Sequence, residues 1–311
     1  MNVMKMNRTA PVLAPRLEKG DTIAVTAPAG PVLNEGDFTA GVRLLREAGF
    51  EVRFSREIMR RRGYLAGTDA ERAEELHDLW AAPEVKALIA ARGGYGCLRL
   101  LPLVEMDLIR RRPKIFVGFS DISVLHAAIG GAIGLVTFHG PMLTTLAKSD
   151  RASLDAFFEM LAGRHPDTLR PAGLEILKPG RACGRLLGGN LASLVHLVGT
   201  PWEQSWQGAV LFLEDVCEAR YRIDRMLTHL HTAGRFAGLA GLILGSFEGC
   251  GDPEPIWQRV LELFADEPFP VWANFPVGHS RDNHILPLGL EVVMDSTKGV
   301  LQLLDQPVLA L

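Results

Sequence analysis

The chain has 311 residues, a formal net charge of −3, and 48% hydrophobic against 22% charged residues. That apolar share excludes a disordered chain, and the length makes two domains the expectation. The slightly acidic balance gives no global basis for a nucleic-acid partner, and the arginine runs at 60–62 and 110–112 read as solvated loop faces. Cys97, Cys183, Cys217 and Cys250 are scattered without a CxxC pair, the usage of a reducing cytoplasm. No window approaches the roughly 18 apolar residues of a membrane span, and Met1 to Pro15 lacks the apolar core of a signal peptide. The expected location is therefore the cytoplasm, with no membrane partner.

Residues 1–19 read as a loose leader. Thr22 to Ala27 predicts a buried strand stopped by Pro28-Ala29-Gly30-Pro31. Phe38, Val42, Leu45 and Ala48 recur at helical spacing, and Gly49 ends that helix. Phe50 to Phe54 alternates as a strand, Ala70 to Ala81 is a helix with Ala73, Leu76 and Trp80 on one face, and Val85 to Ala91 is a continuous apolar strand. This alternation predicts a doubly wound parallel sheet of flavodoxin/Rossmann-like type. Its next strand carries Phe116 and Val117, and Leu135 to His139 and a helix over 153–161 complete a first domain over 1–163. Pro166, Pro171, Gly173 and Pro179 break the next stretch, read as a connector over 164–181.

The second domain is expected over 182–311. Asn190 is placed to cap a helix over 191–198. Ala209 to Leu213 is a buried strand ending in Glu214-Asp215, followed by a helix through Ile223, Met226, Leu227 and Leu230. Strands at 241–247 and 271–275 flank a helix at 256–264, and Pro276-Val277-Gly278-His279-Ser280 makes a loop. Leu290 to Met294 and Val300 to Leu304 predict a terminal hairpin, hence a mixed-sheet α/β domain.

Three stretches carry residues suited to chemistry. Ser120 follows Gly118 at a strand-to-helix turn, where α/β folds place nucleophiles, although a serine there also reads as an ordinary helix N-cap. Arg92-Gly93-Gly94-Tyr95-Gly96 follows the Val85 strand and permits close backbone approach to a ligand; a tight turn explains it as well. It fits neither the P-loop nor the GxGxxG pattern, so no nucleotide cofactor is expected. A serine nucleophile needs a base and an orienting carboxylate. Among nine histidines, His279 is favoured by its loop after a strand, with His139 and His284 as competitors. His126 lies too far along its helix for easy contact with Ser120, and His229 and His231 lack the spacing of a zinc pair. No metal is expected. Glu214, at the end of a buried strand, needs a partner to offset its desolvation. Asp215 reads as a helix N-cap and Glu218 as a first-turn helix acid.

The ordered set Arg92-Gly-Gly-Tyr-Gly96, Gly118-Phe-Ser-Asp121, Thr137-Phe-His-Gly-Pro-Met142, Gly188-Gly-Asn190, Leu213-Glu-Asp215 with Tyr221-Arg-Ile-Asp-Arg225, and Pro276-Val-Gly-His279 resembles the LD-carboxypeptidases, serine peptidases of the muramoyltetrapeptide carboxypeptidase type. The resemblance spans roughly residues 20 to 305. It implies a catalytic triad of Ser120, Glu214 and His279, and an oxyanion hole from the backbone amides of Gly93 (Gly94 being the near alternative) and Asp121. It implies release of terminal D-alanine from muropeptide tetrapeptides in cell-wall recycling, no cofactor, and a homodimer. Related proteins hydrolyse peptidyl or aminoacyl adenylate antibiotics, the alternative activity. Arg220 stands where that family often has proline and Ser280 where glycine is common; both departures bear on substrate preference.

Overall fold

The computed structural model describes residues 10–310. In the first half, the strands are β1 (Thr22–Thr26), β2 (Glu51–Phe54), β3 (Val85–Ala90), β4 (Ile115–Gly118) and β5 (Thr137–His139). Between and after them lie helices α1 (Glu35–Glu47), α2 (Asp69–Ala81), α3 (Cys97–Leu100), α4 (Met106–Arg111), α5 (Ser123–Ile133), α6 (Leu143–Leu146) and α7 (Arg151–Leu161). Local chemistry sets the boundaries. Asn34 and Asp150 accept from the first turns of α1 and α7, and Thr68 and Glu71 form a reciprocal capping box on α2. Gly134 ends α5 in the left-handed conformation.

The second half contributes β6 (Thr168–Leu169), β7 (Glu175–Lys178), β8 (Arg181–Asn190), α8 (Leu191–Val195), β9 (Ala209–Val216), α9 (Arg220–Thr232), β10 (Gly241–Glu248), α10 (Glu254–Leu263), β11 (Val271–Ala273), β12 (Leu286–Leu288), β13 (Glu291–Asp295) and β14 (Val300–Leu303). Two sheets result. One is six-stranded in the order β12-β5-β4-β3-β1-β2, the other eight-stranded in the order β6-β14-β13-β8-β9-β10-β11-β7. β1 to β5 pair in parallel, as the alternating pattern predicts. The second sheet is mixed: β8 to β11 run parallel, while β13, β14, β6 and β7 pair antiparallel.

Three features depart from the sequence expectation. Residues 10–19 are not loose: Ala14 and Leu17 are buried, Val12 bridges Leu135, and Arg16 N donates to Leu309 O. Residues 1–9 of the expected leader lie outside the described residues. The Pro- and Gly-rich stretch before residue 181 supplies β6 and β7 to the edges of the second sheet. Third, β12 leaves the second sheet and pairs antiparallel with β5 of the first, Leu286 opposite His139. The chain from Asn274 to Ile285 therefore bridges the two sheets.

The seam between the halves is apolar. α5 packs on α8 and β8, and one contiguous core runs from Phe116, Leu125 and Ile129 to Leu187, Leu191 and Leu213. Full burial of a leucine contributes about 1.5–3 kcal/mol, so the two sheets are packed as one body rather than tethered. Among the described residues no helix is long and apolar enough to cross a membrane.

Candidate active site

β4 is fully buried and delivers the chain to the sheet edge at Gly118. Phe119 is extended (φ −152°), and Ser120 then takes φ 63°. The left-handed region costs a non-glycine residue about 1–2 kcal/mol, so the surrounding contacts over-determine this turn. Ser120 makes no side-chain capping bond; the N-cap reading does not hold. Gly118 O accepts from Gly140 N at 3.1 Å and faces His126 Nε2 at 2.9 Å. A carbonyl only accepts, so Nε2 carries the proton. Burial depresses the His126 pKa to about 4. His126 thus reaches back to the turn, contrary to the expectation from its helix position. The contact is to the backbone behind the serine and not to its hydroxyl.

The glycine-rich loop lies directly against this turn. A Cβ at Gly93 would fall 2.8 Å from Ser120 Cβ and 2.9 Å from its Oγ; only glycine permits the approach. Gly30 N donates to Gly93 O at 3.0 Å. The N–H groups of Gly93 and Gly94 donate to no protein atom among the described residues, so either is available to an oxyanion. The Asp121 side chain accepts from Cys97 N at 2.8 Å and thereby ties the end of the loop to the serine turn. Burial raises the Asp121 pKa, with the Cys97 bonds opposing it.

Across the seam, β9 carries Glu214 to a fully buried position. His279 Nδ1 lies 2.7 Å from Glu214 Oε2. With the carboxylate ionised, Nδ1–H donates and Nε2 keeps its lone pair. A Cβ at Gly278 (φ 120°) would lie 2.6 Å from Glu214 Oε2, so glycine lets the loop close on the acid. The ring of His279 meets Phe119, the residue before Ser120, edge-on at 4.8 Å between centroids. The structure thus joins Glu214 to His279 and places that imidazole against the serine turn. Ser120 Oγ has no hydrogen bond among the described residues.

The competing histidines sit differently. His139 is fully buried between Phe119 and Phe212, with both ring nitrogens lacking a hydrogen-bond partner among the described residues, and burial holds its pKa well below the usual value. His284 has its pKa lowered by burial, and among the described residues the hydrogen bond to Glu214 comes from His279 instead. No cluster of three His, Cys, Asp or Glu able to hold a metal occurs among the described residues. Asp215 starts no following helix. Its Oδ1 accepts from Asn190 Nδ2 at 3.0 Å and its Oδ2 from Ala192 N at 2.9 Å. Asn190 caps α8 as expected, through Ser193 N. Ser123, passed over in the sequence, accepts from Asn190 N at 3.0 Å; the Gly-Gly-Asn motif was the only signal for it.

Comparison with known proteins fits this geometry. Residues 23–140 match the LD-carboxypeptidase N-terminal domain and residues 183–294 the LD-carboxypeptidase C-terminal domain. A Bacillus subtilis protein named "Probable murein peptide carboxypeptidase" is 37% identical over 293 residues, covering 91% of each chain. The murein tetrapeptide carboxypeptidase of Pseudomonas aeruginosa is 32% identical over 289 residues, covering 89% of this chain and 94% of its own. The microcin C7 self-immunity protein in complex with aspartyl sulfamoyl adenosine superposes with a TM-score of 0.89 at 26% identity, over 96% of this chain and 100% of that one. With both domain descriptions matched in order and relatives above 30% identity along nearly the whole length, the chain belongs to the LD-carboxypeptidase family.

Proposed function

We propose that the protein is a serine LD-carboxypeptidase that releases terminal D-alanine from murein tetrapeptides, with Ser120 as nucleophile, His279 as base and Glu214 as its orienting acid. The observation that carries this reading is the 2.7 Å His279–Glu214 contact, set against a serine held at φ 63°. Ser120 Oγ attacks the scissile carbonyl while His279 Nε2 accepts its proton. Glu214 stabilises the imidazolium that forms. The tetrahedral oxygen takes hydrogen bonds from the amides of Gly93 and Asp121. Collapse of the adduct breaks the C–N bond, and His279 returns the proton to the leaving amine. Water, deprotonated by His279, then cleaves the acyl-enzyme and restores Ser120.

The names of the more similar relatives support murein peptide as substrate. The TM-score of 0.89 to a protein holding an aminoacyl sulfamoyl nucleoside favours a second reading, hydrolysis of aminoacyl adenylates. Parallel turnover of a murein tetrapeptide and an aminoacyl adenylate separates the two. In the first assay, Ser120→Ala should lower kcat for D-alanine release by about 10⁴–10⁶-fold. Release at the wild-type rate would defeat the proposal.

A further inference from the structure

Two sheets must hold their contributions in register, the serine turn on one side and the acid–imidazole pair on the other. A buried polar chain links them. Ser123 lies three residues after Ser120, at the first turn of α5, and its Oγ accepts from Asn190 N at 3.0 Å. The link is fitted closely: a Cβ at Gly189, whose φ is 145°, would fall 2.3 Å from Ser123 Oγ. Asn190 stands directly opposite Glu214 in the parallel register of β8 and β9. Its Nδ2 donates to Asp215 Oδ1 at 3.0 Å, one residue beyond Glu214. Asp215 Oδ1 also accepts from Val216 N at 2.9 Å. Ser123, Asn190 and Asp215 are 0%, 5% and 2% exposed. Among the described residues none hydrogen-bonds to Ser120, Glu214 or His279 side chains, yet each is a buried polar side chain at the seam, where an unsatisfied partner costs about 1–3 kcal/mol.

We infer that Ser123, Asn190 and Asp215 form a latch across the seam that sets the Ser120 turn in register with Glu214 and His279, and that these three are positioning residues for the proposed hydrolysis. The inference rests on that reading of the site. Hydrophobic packing alone tolerates small slips between the sheets, because it is non-directional. Hydrogen bonds with fixed geometry do not. A displacement on the order of 1 Å in a reacting group can cost about 100-fold in rate.

The test uses the full chain with Ser123→Ala and Asn190→Ser. Serine at 190 still caps α8 but is too short to reach Asp215. The readouts are kcat and KM for D-alanine release from a murein tetrapeptide, the rate of Ser120 labelling by a fluorophosphonate probe, and the thermal midpoint. Each variant should lose about 10–100-fold in both kcat and labelling rate at temperatures where it is folded, with KM within about twofold. The double variant should lose no more than the worse single one, as expected for links in series. Wild-type kcat and labelling in the variants, with only a lower thermal midpoint, would overturn the latch and leave the proposed function standing. A wild-type chain that neither labels at Ser120 nor releases D-alanine would overturn both.

Discussion

The two halves of the molecule prepare the candidate site by opposite means. The first stores backbone strain: Ser120 at φ 63°, and a glycine loop so close that a methyl group on Gly93 would strike the serine. The second stores charge: Glu214, with no exposed surface, is stabilised by an imidazole 2.7 Å away. Strain at a sheet edge can be held by the parallel sheet itself, because β3, β4 and β5 all end there. A buried carboxylate cannot be held by one sheet, because its partner must come from elsewhere. The Asn274–Ile285 crossing between the sheets supplies it. The Ser120 turn is thus a local product of one supersecondary unit, whereas the Glu214–His279 pair joins two segments 65 residues apart in the chain.

The sharpest way to break that division is Glu214→Gln. Glutamine can still orient His279 but cannot stabilise an imidazolium, so D-alanine release should fall about 10⁴-fold, while Ser120, held by its own half, keeps its backbone conformation; a crystal structure of the variant checks the second point. Gly93→Ala attacks the first half instead. The added methyl displaces the serine side chain or the loop amide, and loss of one oxyanion donor costs about 10²–10³ in kcat, read in the same assay with Gly94→Ala as the comparison. Arg92 is half-buried at the end of β3, with its pKa lowered by that burial, and Nη1 donates to Pro31 O at 3.3 Å. Arg92→Ala should raise KM for a free-acid peptide several-fold more than for its amide. Equal rises would remove it from carboxylate recognition.

The smallest effect concerns stability. His126 has its folded pKa lowered to about 4 by burial, against about 6.5 when unfolded. Its contribution is fully present above pH 6.5 and is lost as pH falls through about 4, because the unfolded chain then binds the extra proton. The full difference is about 3 kcal/mol at 1.36 kcal/mol per unit. Asp215 acts in the opposite sense: burial raises its pKa to about 6, so its ionisation costs stability as pH rises from about 4 to about 6. The two are separated by urea midpoints across pH 4–7 for the wild type and His126→Gln, which keeps a donor for Gly118 O. The variant should show a flatter loss of stability on acidification; an unchanged slope would sink the assignment.

Much of this was legible in the chain, and the reason is local. β1, β3, β4 and β5 announce themselves through apolar runs closed by glycine or proline, and the starts of α1, α2, α7 and α8 are written in their capping side chains. Ser120 and Gly93 could be marked because a strand-to-helix turn and a three-glycine loop are sequence-adjacent features. Other parts could not be read. β12 is three residues long, contains a proline, and joins a sheet 147 positions earlier in the chain at His139; no periodicity records such a partner. His126 was set aside by helix spacing, yet the turn before its helix folds the Gly118 carbonyl back over it. Nothing near Ser123 in the chain marks it, because its partner, Asn190, is 67 residues away.

Local steric preferences, acting within a few residues, made the kinds of elements, the strand-to-helix turn at Ser120 and the inventory of groups able to do acyl chemistry readable from the chain. Which histidine meets which acid, and which polar side chains cross the seam, were decided only in three dimensions. Hydrogen bonding acts over about 3 Å, and that closeness is created by the packing of distant strands.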